Sequence, residues 1–393
     1  MEPLSLYIHI PFCRTKCPYC DFNTYENIEH LIDDYITSLI TELAHWSKYI
    51  DLNSKNKNIK SVFFGGGTPS YISQNHIKQI MEVLKSKFNL LEDAEISIEC
   101  NPNDLSEEKI LSWKNSNINR LSIGAQSFSD KFLRVLGRDH DLIEISQGFL
   151  TARSLGFDNL SLDLIYGIPG QNITDWKSTI YKALELNPDH ISMYGLTIEK
   201  NTKFDWMVTE GLMPNPDSDL AADMYEFVEE EMNNNGYTHY EISNWSLPRR
   251  ESKHNLTYWY SQEYIGIGAG AHSFYSGLRF WNVNSPNEYI NLIEKGQLIQ
   301  DNTEIQRGFC AVSEIEDYDD NTRIADQFIL GLRLVEGIDK SIFTQSFIDL
   351  ISRKYEKEIE ELIYTGLLEI TNTSIKLTKR GRLLANEVFY KFL

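Results

Sequence analysis

The sequence predicts an α/β protein: a partial (β/α)6 barrel followed by a smaller, winged-helix-like α+β domain. Three observations carry this. Short β-rich runs alternate with longer amphipathic stretches six times between residue 5 and about residue 198, and parallel neighbours need such crossover helices. With right-handed crossovers, six units make an open doubly wound sheet or about three quarters of a barrel. The chain then closes on helical patterns followed by a short hairpin. With 41% apolar and 24% charged residues over 393 positions, it is an ordinary folded composition.

The strands read as Ser5–Ile10, Ser61–Phe64, Glu95–Glu99, Arg120–Ile123, Leu160–Ile165 and His190–Tyr194, with helical stretches such as Leu31–Ile50, Gln74–Phe88 and Ile173–Leu186 between them. Asn53–Lys60 reads as an exposed loop. Ser218–Asn235 is a further helix with glutamates on its solvent side, and Tyr237–Trp281 is dense in aromatics and glycine. A turn at Ser285–Asn287 opens a polar connector. The expected domains are therefore residues 1–284 for the barrel and its extension, 285–310 for the connector and 311–393 for the last domain. There, Asp326–Val335, Ile342–Lys354 and Glu356–Tyr364 have helical patterns, Leu367–Ile370 and Ile375–Thr378 form the hairpin, and a last helix starts at Arg380.

With 37 basic and 57 acidic residues, the chain carries a net charge of −20. That balance repels phosphate backbones, so nucleic acid is not an expected partner and the wing is expected to pack rather than to read DNA. No apolar run approaches the ~18 residues of a transmembrane segment, and the N-terminus lacks the basic residues of a secretory signal. The expected location is cytoplasmic. Five cysteines are few and odd in number, which argues against a disulfide framework.

Cys13, Cys17 and Cys20 stand together in C-R-T-K-C-P-Y-C, directly after the first strand. A structural zinc site would want a fourth ligand, which His9 or His30 supplies only awkwardly. Inert core thiols are a further, plainer reading. Three thiolates can instead hold three irons of a [4Fe–4S] cluster and leave the fourth open to another ligand. Position supports this reading, because ligands of parallel β/α folds sit at the carboxyl ends of the strands. Gly65, Gly66, Gly67 and Thr68 follow the second strand, Glu99 ends the third, Gln126 follows the fourth, Asp163 lies in the fifth and Tyr194 closes the sixth. Gly66 is expected where backbone must approach a ligand closely.

The C-x3-C-x-aromatic-C spacing, with Tyr19 as the aromatic, resembles the signature of the radical S-adenosylmethionine (SAM) superfamily. The resemblance implies that the open iron chelates SAM and that the reduced cluster cleaves it to a 5′-deoxyadenosyl radical. Collinear motifs narrow it further: Y-I-H-I-P-F-C (Tyr7–Cys13), F-F-G-G-G-T-P-S (Phe63–Ser70), Q-S-F (Gln126–Phe128), L-G-R-D-H (Leu136–His140), D-L-I-Y-G-I-P-G-Q (Asp163–Gln171) and the C-terminal L-T-K-R-G-R. Together they resemble the oxygen-independent coproporphyrinogen III oxidase family over nearly the whole chain. By this resemblance Tyr7, Gly66, Gly67, Thr68, Glu99, Gln126, Arg138 and Asp163 line the SAM pocket.

Two departures from the oxidases matter. Phe22 stands where they carry a last cysteine, and the N-terminal extension ahead of their barrel is not present before the first strand. Both point to a sister branch of the family, the heme chaperones, which share the motif H-N-x-x-Y-W; here it is His254–Trp259. The resemblance implies that heme is bound, with His254 as a normal axial ligand for its iron, and passed to heme-accepting apoproteins, while an electron donor serves the cluster. The alternative is an oxidoreductase acting on coproporphyrinogen III or another tetrapyrrole. Whether the chain is an enzyme stays open at this point. The G-I-G-A-G-A run, Gly266–Ala271, fits a dinucleotide pattern formally, but no clear strand-to-helix step surrounds it, and close backbone packing explains it better.

Overall fold

The computed structural model describes residues 3–52, 58–296, 311–316, 319–339 and 343–393. The chain divides into two units, Met1–Ala221 with Glu263–Glu316, and Ala222–Gln262 with Asp317–Leu393.

In the first unit six parallel strands lie side by side in chain order: β1 (Leu4–Ile10), β2 (Asn58–Gly66), β3 (Asn89–Cys100), β4 (Arg120–Gln126), β5 (Leu160–Tyr166) and β6 (His190–Gly195). All of β1 except Tyr7 is buried, as expected of parallel strands covered on both faces. Four of the helices between strands start at side-chain caps. Ser73 and Ser106 accept from the backbone of His76 and Lys109, while Asp141 with Glu144 and Asn172 with Asp175 form reciprocal capping boxes.

On its other side β1 pairs in parallel with Tyr264–Ile267, which is followed by antiparallel strands at His272–Tyr275, Leu278–Asn282 and Val312–Ile315. The sheet is therefore open: β1 is flanked by this late segment and never meets β6. The aromatic and glycine-rich stretch thus supplies strands that extend the sheet. The expected polar connector also differs from what forms. Ser285 caps a helix, Pro286–Lys295, whose Tyr289, Ile290 and Ile293 are buried. Asn58–Lys60, read as loop, begins β2, while residues 53–57 and most of the connector, with Cys310, lie outside the described residues.

The second unit holds the hairpin Thr238–Glu241/Asn244–Ser246, the helix Lys253–Trp259, and the C-terminal helices Asp320–Leu332, Gln345–Lys354 and Glu356–Tyr364. A three-stranded sheet runs in the order Ile338–Asp339, Ser374–Leu377, Leu368–Ile370. Phe328, Leu332, Ile351, Leu362 and Val388 fill the core of this helix-and-wing arrangement. Residues 222–262, which the sequence places with the barrel, group here with the C-terminal residues. Ile242 N–H donates to the Arg333 carbonyl at 3.1 Å and Val335 N–H to the Tyr240 carbonyl at 3.1 Å. Half-buried Glu229 accepts from the Arg382 guanidinium and pairs with His239 Nδ1 at 3.4 Å.

Candidate functional site

The carboxyl ends of β1–β6 open onto a cavity of about 540 Å³. Cys13, Cys17, Cys20, Tyr19, Gly66, Gly67, Thr68, Glu99, Gln126, Arg138 and Asp163 all line it, with Tyr194 of β6. Sheet register explains the convergence. Glu99 on β3 lies opposite Ser122 on β4, and Asp163 on β5 lies opposite Ser192 on β6.

The cysteine loop is docked on the glycine run. Gly67 N–H donates to the Ile10 carbonyl at 2.8 Å and Thr68 N–H to the Phe12 carbonyl at 2.9 Å. A Cβ on Gly67 would stand 2.8 Å from that carbonyl and 3.0 Å from Cys13 Sγ, so a side chain there would displace the first thiol. At Gly66, which lines the cavity, the fold itself also demands glycine. Its φ of +116° and the His9 ring, 2.7 Å from where its Cβ would be, both demand glycine, while its N–H donates to Glu99 Oε2 at 3.2 Å.

The three thiols are free, with Cys13 buried and the others half-buried. The Thr68 hydroxyl lies 3.5 Å from Cys13 Sγ, Thr24 Oγ1 lies 3.9 Å from Cys20 Sγ, and Arg138 Nη1 donates to Cys17 Sγ at 3.4 Å. Burial pushes the Cys13 and Cys20 thiols up. Arg138 Nη2 also bonds Asn101 Oδ1 and the Gly124 carbonyl, while its buried Nε has no partner in the structure. Among the described residues no three His, Cys, Asp or Glu side chains converge as a single metal ion needs. A cluster takes one thiolate per iron, so three spaced thiols around one cavity, with a guanidinium beside them, fit it chemically.

Beyond the thiols the lining carries charged groups of both signs. Burial, then the nearby Asp163 charge, pushes Glu99 up to about 8. Asp163 is raised by burial too, although the Ser122 hydroxyl donates to both its carboxylate oxygens at 3.1 Å. Carboxyl groups can accept from an amine or ribose hydroxyls, and a guanidinium can pair with a carboxylate, which are the functional groups of SAM. Gln126 adopts a left-handed φ of +61°, rare for a residue with a side chain, and its amide folds back over Gly124, where a Cβ would meet it at 2.8 Å.

Tyr7 is placed differently from the others. It does not line the cavity; it stacks on Phe63 and its hydroxyl lies 3.1 Å from His9 Nδ1, behind the glycines. Burial, then Glu99, pushes its phenol up. Asn101, Ser122 and Gly124 line the cavity without having been singled out from the sequence. Asn101 follows β3 directly, the same strand-end signal that marked Glu99. His254 belongs to the second unit, on the Lys253–Trp259 helix capped by Ser252. It is 1% exposed, with Nε2 2.8 Å from the Tyr258 hydroxyl and the two rings edge to face.

Residues 7–182 match the family model of the Radical SAM superfamily, and residues 318–384 match the HemN C-terminal domain. The fold aligns with coproporphyrinogen III oxidase (HemN) from Escherichia coli at a TM-score of 0.82 and 23% identity, over 99% of this chain and 90% of that one. Fold and cavity together define a radical SAM protein of the HemN-related kind, a class that generally carries a [4Fe–4S] cluster and SAM.

Over its full length the chain is 36% identical to the heme chaperone HemW of Bacillus subtilis, covering 99% of both chains. It is 35% identical to that of Lactococcus lactis (100% of this chain, 98% of the relative) and 33% to that of Escherichia coli K12 (100% and 99%). The chain belongs to the heme chaperone HemW family.

Proposed function

We propose that the protein binds heme and hands it to heme-requiring apoproteins in the cytoplasm, using a core that holds a [4Fe–4S] cluster through Cys13, Cys17 and Cys20 and SAM at the remaining iron. The observation that carries this reading is the full-length likeness, at 33 to 36% identity, to relatives that are heme chaperones. When bound, the cluster supplies one-electron chemistry and an open coordination site, and an electron donor protein keeps it reduced. Arg138 balances the thiolate charge, while Glu99 and Asp163 receive the amine and ribose hydroxyls of SAM. Phe22, in place of a further cysteine, leaves the loop with three thiols.

Heme is taken by the His254–Trp259 segment. Ligation by His254 through Nε2 needs that nitrogen to face the iron, so the side chain of His254 or Tyr258, neighbours on one helix, has to rotate to part Nε2 from the phenol. Tyr258 and Trp259 then offer flat apolar faces to the porphyrin. No nucleic acid takes part, since a net charge of −20 opposes it, and no described helix is long and apolar enough to cross a membrane.

The test is spectroscopy of anaerobically reconstituted full-length protein with and without heme and SAM, with coproporphyrinogen III turnover followed in parallel. Saturable heme binding, transfer of that heme to an apoprotein and absence of turnover are expected. Efficient protoporphyrinogen production would overturn the chaperone reading in favour of a tetrapyrrole oxidoreductase.

A further inference from the structure

We propose that Asn23 is a positioning residue for the cysteine loop, seated in a socket whose shape is set by the glycines of G-I-G-A-G-A. The Asn23 side chain and its backbone carbonyl are both held by hydrogen bonds. Its Nδ2 donates to the carbonyls of Ala269 at 3.1 Å and Asn284 at 3.0 Å, and its Oδ1 accepts from the Tyr25 hydroxyl at 2.9 Å. Its backbone carbonyl accepts from His9 Nε2 at 2.9 Å. That bond fixes the His9 tautomer, so Nδ1 is the acceptor for the Tyr7 hydroxyl.

The glycines are what leave room. A Cβ on Gly270, where φ is +72°, would lie 2.3 Å from Asn23 Nδ2. One on Gly268, φ +103°, would lie 2.5 Å from the Tyr35 hydroxyl and 2.8 Å from the His9 carbonyl. Tyr35 ties the socket to β1 by donating to the His9 carbonyl at 2.8 Å and accepting from Ala269 N–H at 2.9 Å. Behind it, buried Glu42 accepts from Gly268 N–H at 2.9 Å, Asn282 Nδ2 at 2.8 Å and the Tyr289 hydroxyl at 2.6 Å. The run that imitates a dinucleotide site is a rigid receptacle.

Asn23 is well placed to fix the thiols. It follows Cys20 by three residues, and two residues later Tyr25 closes the loop on its own start: Cys13 N–H donates to the Tyr25 carbonyl at 2.9 Å and Tyr25 N–H to the Pro11 carbonyl at 2.8 Å. Holding Asn23 therefore fixes both ends of the segment that carries Cys13, Cys17 and Cys20. The neighbouring Phe22 is turned outward and 66% exposed.

This proposal rests on the reading of those cysteines as cluster ligands. The test compares full-length Asn23→Ala and Gly270→Ala with wild type after anaerobic reconstitution, with Cys17→Ala alongside. Both variants are expected to take up iron and sulfide, to lose the cluster about tenfold faster in air, the factor for loss of one or two hydrogen bonds, and to show altered electron paramagnetic resonance (EPR) of the reduced cluster with SAM. The thermal midpoint of cluster-free Asn23→Ala is expected to stay within a few degrees of wild type, whereas Gly270→Ala, strained at its φ of +72°, is expected to lower it further. Wild-type air lifetimes and spectra in both variants would overturn the positioning role while leaving the ligand assignment intact. So would a midpoint of Asn23→Ala that falls as far as that of Gly270→Ala, since that is general destabilisation. A cluster that survives Cys17→Ala would instead overturn the ligand assignment itself.

Discussion

Arg138 reaches Cys17: its Nη1 donates to Sγ at 3.4 Å, from the turn after the Asp130–Val135 helix to the loop after β1. A fixed cation beside a thiolate ligand stabilises the more negative, reduced cluster and so raises its potential. Arg138→Met should therefore lower the midpoint potential by about 60 mV, the one-electron equivalent of a tenfold change in equilibrium. A redox titration followed by EPR measures it, and an unchanged midpoint would mean that the contact has no electrostatic weight.

Alanine at Cys13, Cys17 or Cys20 should each abolish the cluster chromophore. Cys100→Ala should leave it, although Cys100 also lines the cavity, because its thiol is buried on β3 and donates to the Ile98 carbonyl at 3.4 Å. Iron and sulfide analysis of the four variants checks this. Equal loss in Cys100→Ala and Cys17→Ala would reassign the ligands.

If Glu99 receives SAM as proposed, Glu99→Ala removes a charge-assisted contact worth about 1.5–3 kcal/mol and should weaken SAM binding roughly tenfold to a hundredfold. Gly66→Val is a poorer probe than the sequence suggests, because the new side chain collides with His9 and strains φ before any ligand is considered. Titration of SAM against the cluster spectrum separates them: Glu99→Ala should keep a full cluster, and Gly66→Val should lose both.

The same carboxyl gives cofactor-free protein a pH dependence. Burial, followed by the Asp163 charge, holds Glu99 at about 8, above the ordinary 4.5, so the folded state binds its proton more tightly than the unfolded chain. Its stabilising contribution is complete below about 4.5 and is lost as pH rises through about 8. Glu99→Gln cannot ionise there. Its thermal midpoint relative to wild type should climb by several degrees between pH 5 and pH 8, and a flat difference would contradict the burial argument.

In the second unit, His254→Ala should change the absorption and EPR of bound heme more than it changes the melting temperature. Tyr258→Phe frees Nε2 from its 2.8 Å partner and should tighten heme binding by about tenfold, the weight of one lost competing hydrogen bond. Wild-type heme spectra in His254→Ala together with a clearly lower melting temperature would make the histidine structural and put the ligand elsewhere.

The parallel strands were legible because burial on both faces writes them as continuous apolar runs, and the site was legible where chemistry demanded rare residues, as in the cysteine triplet or the glycines after β2. Ser122 and Asn101 escaped notice because serine and asparagine are ordinary anywhere. Only the register that sets Ser122 opposite Glu99 gives it meaning. The 286–295 helix hid behind a polar outer face, with Pro286, Tyr289, Ile290 and Ile293 its few buried positions. The pairing of β1 with residues 264–267 was invisible for another reason: no local pattern announces a neighbour some 260 positions away.

That distant neighbour sets a schedule for synthesis. The cysteines lie within the first twenty residues, whereas the carbonyls that hold Asn23 belong to residues 269 and 284, separated from it by 246 and 261 positions. At ribosomal rates of about 5–20 residues per second, a nascent chain carries its thiols for roughly 12 to 50 seconds before the strand beside β1 exists. Iron–sulfur assembly on a properly seated loop is thus a late event, and a chain truncated before residue 264 retains every proposed cluster ligand without the framework that holds them in place.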